Sequence, residues 1–372
     1  MVGQLMYDGV QAREFTVARN ALGAGIARYS AELGAGARSE ADRGPGPDRG
    51  AGAVAAKRVL GMARRGLGVL DRDAVSEVLG VGHRAWAEGT DAVAVGDLAL
   101  GEEQVGEVFR RDIRPRLDGP AREWPTVVFI GGQTAAGKTT SQQVVLRDLG
   151  LTDVVPLDGD DLLDDHPGYR DAVRADDRTA ASLVGEHTSA WWTMTVEQLR
   201  AGRVDVVISA PLGRAPWSLD RFRDFHAAGY RVEVVLLAVP PAQSLLSLLE
   251  RWHRDRQPER HGFGRWVAPE THDRFTGGIL ETADAVDASS VVDACHVARR
   301  GRGVVYSNER VGQGRSTRDV IELERGRPWS PAERDDFDEL VAHLADTDRR
   351  DARPLPVELR PLLATIVERG RM

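Results

Sequence analysis

The amino-acid sequence predicts an α/β fold with a doubly wound, mostly parallel sheet, preceded by an α-helical N-terminal section. Two observations predict this fold. Short apolar segments alternate with helix-compatible segments through the middle of the chain, as in parallel sheets that helices cover on both faces. A glycine-rich phosphate-binding motif follows directly on the first apolar segment, where folds of this class bind their ligands. The strands are predicted at residues 126–130, 154–157, 204–209 and 231–239.

The chain divides into three predicted sections. Residues 1–96 are expected to form helices, interrupted by a Gly- and Pro-rich flexible linker at 38–50. Residues 97–310 contain the alternating strands and helices. Residues 311–372 are expected to form a helical extension that packs on this central domain. Helices are predicted at 102–114, where Pro115 ends the first of them, and at 140–149, 190–201, 216–228, 241–253, 331–346 and 357–369, with a hairpin between 294–299 and 304–306.

Composition excludes several classes of function. The net charge of −8 argues against nucleic acids and membrane surfaces as partners, because both are anionic. No apolar run approaches the length of a membrane span, and the N-terminus lacks the pattern of a signal peptide. The single cysteine, Cys295, excludes an internal disulfide framework and is typical of a reducing compartment. We therefore expect a cytoplasmic protein.

The glycine-rich segment is a complete Walker A motif, Gly132-Gln-Thr-Ala-Ala-Gly-Lys-Thr139, of the P-loop type that holds nucleotide phosphates. Lys138 is one of only two lysines among 49 basic residues, so its compact ammonium group stands out in an arginine-rich chain. We expect Lys138 to contact the β- and γ-phosphates and the Thr139 hydroxyl to coordinate Mg²⁺. The predicted nucleotide-binding residues are Gly132, Gln133, Thr134, Ala135, Ala136, Gly137, Lys138, Thr139 and Thr140.

Carboxylates follow the second predicted strand, close to where a phosphoryl acceptor would sit. Phosphoryl transfer requires positioning, charge neutralisation and a base near the acceptor hydroxyl. Asp160 is the candidate base. Asp158 or Asp161 is expected to assist with Mg²⁺ or structure, and we assign Asp158 to the metal and Asp161 to the substrate. A solvated acidic loop is the alternative interpretation.

Five arginines follow the fourth predicted strand and predict a lid over the nucleotide. Guanidinium groups on such a lid stabilise the charge of the transferred phosphoryl group. The alternative for most of them is a solvated basic helix end, so at most three should contact phosphate. The five are Arg251, Arg254, Arg256, Arg260 and Arg265.

Absent motifs narrow the class of nucleotide-binding protein. The sequence has no Asn-Lys-x-Asp motif, with which a GTPase reads its base, and no HExxH motif or cysteine cluster that would indicate zinc. The third predicted strand ends without the aspartate of an ordinary Walker B motif. These absences favour a small-molecule kinase, with ATP as the expected nucleotide, GTP as the alternative and Mg²⁺ as the metal.

Together these motifs resemble those of the zeta-toxin family, P-loop kinases that phosphorylate UDP-N-acetylglucosamine. The resemblance extends over about residues 97–310. Residues 131–139 are similar to the family's Gly-Gly-Gln-Pro-Gly-Ser-Gly-Lys-Thr/Ser loop. Leu157-Asp-Gly-Asp160, followed by His166-Pro-Gly-Tyr169, is similar to the family's Ile-Asp-x-Asp and His-Pro-x-Tyr/Phe segments.

The resemblance implies roles for individual residues. Asp160 matches the general base of the family, and Arg251 and Arg265 match two lid arginines that bind phosphate. Lys138 completes the expected catalytic set. Substrate contacts are expected from Asp161, His166, Tyr169 and Arg214.

The acceptor side of the chain departs from the family pattern. The family's third strand ends in Glu-Gly-Thr, which helps to hold the sugar nucleotide, whereas this chain has Ser209-Ala-Pro-Leu-Gly-Arg214. A second family glutamate falls near Thr193 and Met194, which are not acidic. Because a pocket without matching polar groups rejects a substrate strongly, the identity of the acceptor stays open.

We expect an ATP-dependent kinase that phosphorylates a hydroxyl group of a nucleotide sugar such as UDP-N-acetylglucosamine. The alternatives are an antibiotic or metabolite phosphotransferase, a polynucleotide kinase, or a non-catalytic nucleotide-binding relative that acts through partners. The resemblance also implies a small helical antitoxin as partner. Residues 1–96 are expected either to restrain the kinase in cis, or to extend its core or support a dimer.

Overall fold

The computed structural model of the protein describes residues 98–177, 180–308, 315–346 and 353–371. Strands in these ranges form one six-stranded sheet. The strands are β1 (Thr126–Gly131), β2 (Val155–Asp158), β3 (Val206–Ala210), β4 (Arg231–Leu237), β5 (Ala294–Arg299) and β6 (Gly303–Asn308). Their order across the sheet is β2-β3-β1-β4-β5-β6. All neighbours are parallel except β6, which is antiparallel to β5 and forms the predicted hairpin with it.

Helices pack against this sheet. Every residue of β1 and β3 is buried, as expected for central strands covered on both faces. This arrangement confirms the predicted α/β fold with a mostly parallel sheet. The α-helices of the described ranges are α1 (Glu102–Val108), α2 (Lys138–Asp148), α3 (Asp161–Asp164), α4 (Tyr169–Ala175), α5 (Ala180–Leu183), α6 (Gly185–Gly202), α7 (Ala215–Ala227), α8 (Pro241–Asp255), α9 (Pro269–Asp287), α10 (Thr317–Gly326), α11 (Pro331–Ala345) and α12 (Arg360–Arg371).

The helix predicted at 102–114 has a shorter α-helical part than expected and continues in other helical geometries. It is α-helical only over α1, then forms a π-helical turn at Phe109–Ile113 and a 3-10 turn at Arg114–Leu117. Pro115 therefore lies within a helical turn and does not end the helix at its own position. The first turn of a helix tolerates proline, because the missing N–H would have no partner there.

Five helices, α3, α4, α5, α9 and α10, were not predicted from the sequence. Helix α9 contains Gly277 and Gly278, and each interior glycine lowers helix propensity by about 1 kcal/mol relative to alanine. The structure explains Gly278: a Cβ atom built there would lie 1.9 Å from the carbonyl oxygen of Gly213, in the loop after β3. Close packing of α9 on this loop therefore requires a residue without a side chain.

The C-terminal part of the chain packs on α8. Helices α11 and α12 and the 3-10 turn Val357–Leu359 bury their apolar side chains against it. The cluster contains Ala242, Leu245, Leu246, Leu249, Trp252, Phe337, Leu344, Leu355, Leu359, Leu363 and Ile366. Burial of this surface attaches α11 and α12 to the helix that carries Arg251.

Some expectations fall on residues that the structure does not describe. The predicted helices within residues 1–96 and the linker at 38–50 lie outside the described residues. Within the ranges given above, no helix combines the length and apolar character needed to cross a lipid bilayer.

Candidate active site

The Walker A segment connects β1 directly to α2. Gly137 adopts a left-handed conformation with φ of 83°, which lets the chain turn into the first residue of α2, Lys138. The Lys138 Nζ atom donates hydrogen bonds to the carbonyl oxygens of Gly132 at 3.1 Å and Gln133 at 3.4 Å. The ammonium group is therefore held over the loop. Thr139 follows on the exposed first turn of α2, where a metal-coordinating hydroxyl is expected.

Arg300 supports the loop from outside and was missed from the sequence. Its guanidinium group donates to the carbonyl oxygen of Ala135, to that of Ala136 at 3.2 Å and to Ser247 Oγ at 2.8 Å. Burial lowers the pKa of Arg300. The residue lies in the turn between β5 and β6, and parallel strands bring their carboxyl ends to one edge of the sheet. The sequence did predict the hairpin turn in which Arg300 lies. It contained no signal that this turn packs beside the phosphate-binding loop.

Asp158 lies at the carboxyl end of β2, in register with Ser209 of β3, which is in turn in register with Ile130 of β1. Its Oδ1 atom accepts a hydrogen bond from the Asp160 backbone N–H at 3.0 Å. Burial and the neighbouring Asp160 carboxylate raise the pKa of Asp158 to about 6. Burial also lowers the pKa of Lys138, while Asp158 and Asp160 oppose this effect. The two aspartates and the lysine therefore belong to one electrostatic cluster.

Two of the five lid arginines lie beside this cluster. Arg265 contacts the Asp160 carboxylate at 3.5 Å and the Asp164 carboxylate at 3.4 Å. The positive charge of Arg251 contributes to lowering the pKa of Lys138, so Arg251 lies near this lysine. The side chain of Asp160 is 60% exposed, which leaves its carboxylate accessible to a substrate.

The other lid arginines interact away from the cluster. Arg254 contacts Glu250 at 3.1 Å, and Arg256 stacks over the ring of Trp252 at 4.7 Å. Arg260 is exposed. The expectation that at most three of the five arginines contact phosphate stays a prediction.

Two predicted substrate residues, His166 and Tyr169, are buried. His166 is only 2% exposed. Its Nδ1 atom accepts from the Gly168 N–H at 3.2 Å, so Nε2 carries the proton and lies 3.2 Å from the Leu98 carbonyl oxygen. Tyr169 is 1% exposed within an apolar cluster, and burial raises the pKa of its phenol to about 12. The charges of Arg265, Asp160 and Asp164 also act on the pKa of Tyr169, so its phenol lies near the candidate base. The substrate roles of His166 and Tyr169 stay predictions.

The other two substrate candidates, Asp161 and Arg214, lie near the ends of β2 and β3, where a substrate is expected to bind. Asp161 is exposed at the first residue of α3, one residue after the candidate base. Arg214 precedes α7 at the end of the loop after β3, where its carbonyl oxygen accepts from Ser218 Oγ at 2.9 Å. The substrate roles of Asp161 and Arg214 stay predictions.

The residues near the loop fit the expected Mg²⁺. In the described part of the chain, no group of three or more His, Cys, Asp or Glu side chains could hold a metal ion alone. Nucleotide-bound Mg²⁺ requires only one or two protein ligands, since phosphates and water supply the others. The Thr139 hydroxyl and the Asp158 carboxylate are oxygen donors of the required kind.

We expect Asp158→Asn to stabilise the protein above pH 6 when nucleotide is absent. The folded-state pKa of about 6 exceeds the ordinary value of 3.8, so ionisation opposes folding as the pH rises from 4 to 6. A neutral amide removes this penalty, which we estimate at about 1–2 kcal/mol, or roughly 2–6 °C in Tm. Thermal unfolding between pH 4.5 and 8 measures the difference.

The matched control for this variant is Asp171→Asn, at a side chain that is 70% exposed. Its Tm should follow that of the wild type across the pH range. A difference between Asp158→Asn and the wild type that does not grow with pH would contradict the raised pKa.

The chain is similar to known proteins in sequence and in fold. A sequence model of the family described as Zeta toxin matches residues 113–311, more than half of the chain. The chain is 22% identical to Toxin PezT of Streptococcus pneumoniae serotype 4 over 235 residues, which cover 63% of this chain and 91% of that protein. It is 23% identical to Toxin zeta of Enterococcus hirae over 132 residues, 36% of this chain and 46% of that protein.

A solved structure shares the fold. The chain aligns to a structure from the PezAT chromosomal toxin-antitoxin system of Streptococcus pneumoniae with a TM-score of 0.58 and 19% identity. The alignment covers 67% of this chain and 100% of the other chain. The likeness in fold therefore extends over that entire chain.

Proposed function

Because this chain belongs to the zeta toxin family, we propose that it transfers the γ-phosphoryl group of ATP to a hydroxyl group of a nucleotide sugar such as UDP-N-acetylglucosamine. One observation carries this proposal. Lys138 on the phosphate-binding loop, the accessible carboxylate of Asp160 and the guanidinium group of Arg265 meet at the carboxyl ends of β1 and β2. A phosphoryl-transfer site requires this combination of phosphate holder, base and cation. The kinase domain would span residues 97–310.

The chemistry assigns one task to each group. Loop N–H groups and Lys138 hold the ATP phosphates, and Mg²⁺ held by Thr139 and Asp158 would neutralise part of their charge. The Asp160 carboxylate accepts the proton of the acceptor hydroxyl as the hydroxyl oxygen attacks the γ-phosphorus, and the bond from the γ-phosphorus to the bridging oxygen breaks to release ADP. Arg265 and Arg251 stabilise the negative charge that spreads over the transferred group.

The residues expected to bind the acceptor differ from the family pattern at the end of β3. Ser209 stands where the family has a glutamate, and it is buried at 4% exposure. Its hydroxyl donates to Gln142 Oε1 at 3.4 Å, and its backbone is in register with Asp158. The pocket therefore lacks one carboxylate next to Asp158, while the nucleotide side keeps its complete motif. UDP-N-acetylglucosamine is the first acceptor to test, and other nucleotide sugars follow.

The experiment is incubation of the full chain with labelled ATP and a metabolite extract supplemented with UDP-N-acetylglucosamine, followed by mass spectrometry. The Lys138→Ala protein serves as the blank, and labelled GTP replaces ATP in a parallel reaction. Label on UDP-N-acetylglucosamine supports the full proposal. Label on a different hydroxyl compound keeps the kinase and rejects this acceptor. ATP binding without any labelled product would favour a non-catalytic nucleotide-binding protein.

The second part of the proposal concerns how the kinase activity is regulated. The solved relative comes from a toxin-antitoxin system, so an antitoxin-like restraint is a reasonable partner for this chain. We assign this restraint to residues 1–96. Tethering supplies an effective concentration in the millimolar range, so a restraining segment in the same chain requires little affinity of its own.

We expect deletion of residues 1–96 to increase ATP turnover or growth inhibition by the remaining chain. The comparison is made between full-length and truncated protein at equal soluble concentration, with growth of an expressing strain as second readout. Unchanged activity in a soluble truncation would reject the restraint. An insoluble truncation would instead identify residues 1–96 as part of the core or of a dimer interface.

A further inference from the structure

Gln133 of the phosphate-binding loop points into the protein, and its side chain is fully buried. Its Nε2 atom donates to the Val239 carbonyl oxygen at 2.9 Å and to Ser244 Oγ at 3.0 Å. Ser244, on α8, lies 2.8 Å from Nε2 of His272 on α9. All three polar side chains are 0% exposed, so none of these hydrogen bonds competes with bulk water.

The chain of hydrogen bonds continues to the C-terminal helix. Nδ1 of His272 lies 3.1 Å from Oδ1 of Asp273, and the Asp273 carboxylate accepts two hydrogen bonds of 2.9 Å from Arg369 of α12. Such a two-pronged pair between guanidinium and carboxylate fixes both distance and orientation. The five side chains thus connect α12 to the phosphate-binding loop.

The hydrogen bonds of this series converge on Asp273. Arg369 can only donate, so the Asp273 carboxylate accepts from it and from His272 Nδ1–H. In the neutral imidazole, His272 Nε2 then accepts from the Ser244 hydroxyl, which accepts from Gln133 and also lies 3.1 Å from the Pro241 carbonyl oxygen. The Ser244 oxygen therefore links the loop amide to the imidazole.

Arg325 of α10 fixes the other end of the Gln133 amide. Its Nη2 atom donates to Gln133 Oε1 at 3.2 Å, and its Nη1 atom donates to the Thr276 carbonyl oxygen at 2.9 Å. Burial lowers the pKa of Arg325 to about 10, so the group is still a cation at neutral pH. A buried cation thus lies behind the loop that would hold phosphate.

We propose that Arg369 and Arg325 are positioning residues, through which the C-terminal helices α12 and α10 hold the phosphate-binding loop in its binding shape. We name the series Gln133, Ser244, His272, Asp273 and Arg369 the loop relay. Both arginines lie beyond residue 311, where the family match ends, so this support comes from outside the matched domain.

The loop relay reaches Lys138 through the backbone of Gln133. The carbonyl oxygen of Gln133 accepts from Lys138 Nζ at 3.4 Å, so a displaced Gln133 also displaces the resting position of the lysine. Loss of Ser244 leaves buried atoms of Gln133 and His272 without that partner. Loss of Arg369 leaves Asp273, whose side chain is 39% exposed, without the two hydrogen bonds that fix its position beside His272. A change on α12 should therefore be measurable at the loop.

The test compares Arg369→Met with Arg371→Met, an exposed arginine on the same helix. Hydrogen exchange of the segment 130–140 is measured by mass spectrometry in the full chain without nucleotide. Arg369→Met should accelerate exchange of that segment severalfold, and Arg371→Met should not. Arg369→Lys, which retains one charged hydrogen bond to Asp273, should restore part of the protection.

Nucleotide affinity gives a second readout, and only this part rests on the proposed function. Arg369→Met should weaken ATP binding roughly threefold to tenfold by calorimetry, the effect of one lost hydrogen bond. Ser244→Ala interrupts the same relay. The double variant should therefore bind ATP no more weakly than the weaker single variant, whereas independent damage would multiply the two losses.

Three results overturn the proposal. They are unchanged exchange of segment 130–140 in folded Arg369→Met, acceleration spread evenly over the chain, and multiplying losses in the double variant. If Arg369→Met does not fold, Asp273→Asn is measured by the same exchange criterion, because it keeps an acceptor for His272 and loses the charge pair. A wild-type protein that binds no ATP would reject the proposed function, and the exchange data would still decide on the relay.

Discussion

Lys138→Ala should abolish phosphoryl transfer and weaken ATP binding roughly a hundredfold, through loss of about 3 kcal/mol of charge-assisted contact. The Nζ atom is already held at 3.1 Å from the Gly132 carbonyl oxygen, so little reorganisation precedes its contact with phosphate. Calorimetric titration with ATP measures the affinity, and thermal unfolding checks the fold.

The matched control is Lys57→Ala, which removes the other lysine of the chain. It should retain wild-type ATP affinity. An unchanged affinity in folded Lys138→Ala would mean that the loop does not bind the triphosphate, and it would remove the basis of the proposed function.

Asp160→Asn should retain ATP binding and lower phosphoryl transfer by roughly 10²–10⁴-fold, the usual contribution of a positioned base. The amide keeps the size of the carboxylate but cannot take the proton of the acceptor hydroxyl. Initial rates with the acceptor found by mass spectrometry measure the loss, and calorimetry measures ATP affinity separately. An equal loss of ATP affinity would make Asp160 a metal or phosphate ligand.

Asp164→Asn separates the base from its neighbour. Arg265 contacts Asp164 at 3.4 Å and Asp160 at 3.5 Å, so both variants remove one carboxylate from the same guanidinium group. Asp164→Asn should lose far less activity. If both variants lose equally, the position of Arg265 limits the rate, and near-normal turnover in Asp160→Asn would transfer the role of base to Asp158, Asp161 or Asp164.

The strands and the loop could be predicted because their signals are local. An apolar segment followed directly by a glycine-rich loop predicts a strand, a turn and a helix within about fifteen residues. The carboxyl-edge rule for parallel strands then brought Asp158 near Lys138 without knowledge of the strand order. The hairpin of β5 and β6 could also be predicted locally, from two apolar segments separated by a glycine-containing turn.

Residues that act through distant contacts could not be predicted. Arg300 supports the loop from a turn more than 160 positions along the chain, and no local pattern distinguishes it from Arg299 or Arg302. Helix α9 was not predicted because it contains glycines, which disfavour a helix. Only the fold shows that Gly278 is needed for close packing against Gly213. For α10 a local signal existed, since Ser316 caps the helix by accepting from the Asp319 N–H at 3.1 Å.

His166 and Tyr169 illustrate the limit of motif transfer. The residues match the pattern of the resembled family, yet a pattern does not tell whether a side chain points to solvent or inward. In the structure both side chains are buried, and both ring nitrogens of His166 have hydrogen-bond partners inside the protein. Their contact with a substrate stays a prediction.

The rarity of lysine gives the phosphate-binding loop an analytical use. An acylating reagent that modifies amines finds only Lys57 and Lys138 as side-chain targets. Since burial lowers the pKa of Lys138, more of its amine is neutral and nucleophilic at a given pH. The mass shift of one loop peptide therefore reports directly whether Nζ is free or covered, and occupancy can be followed in a crude extract without an acceptor in hand.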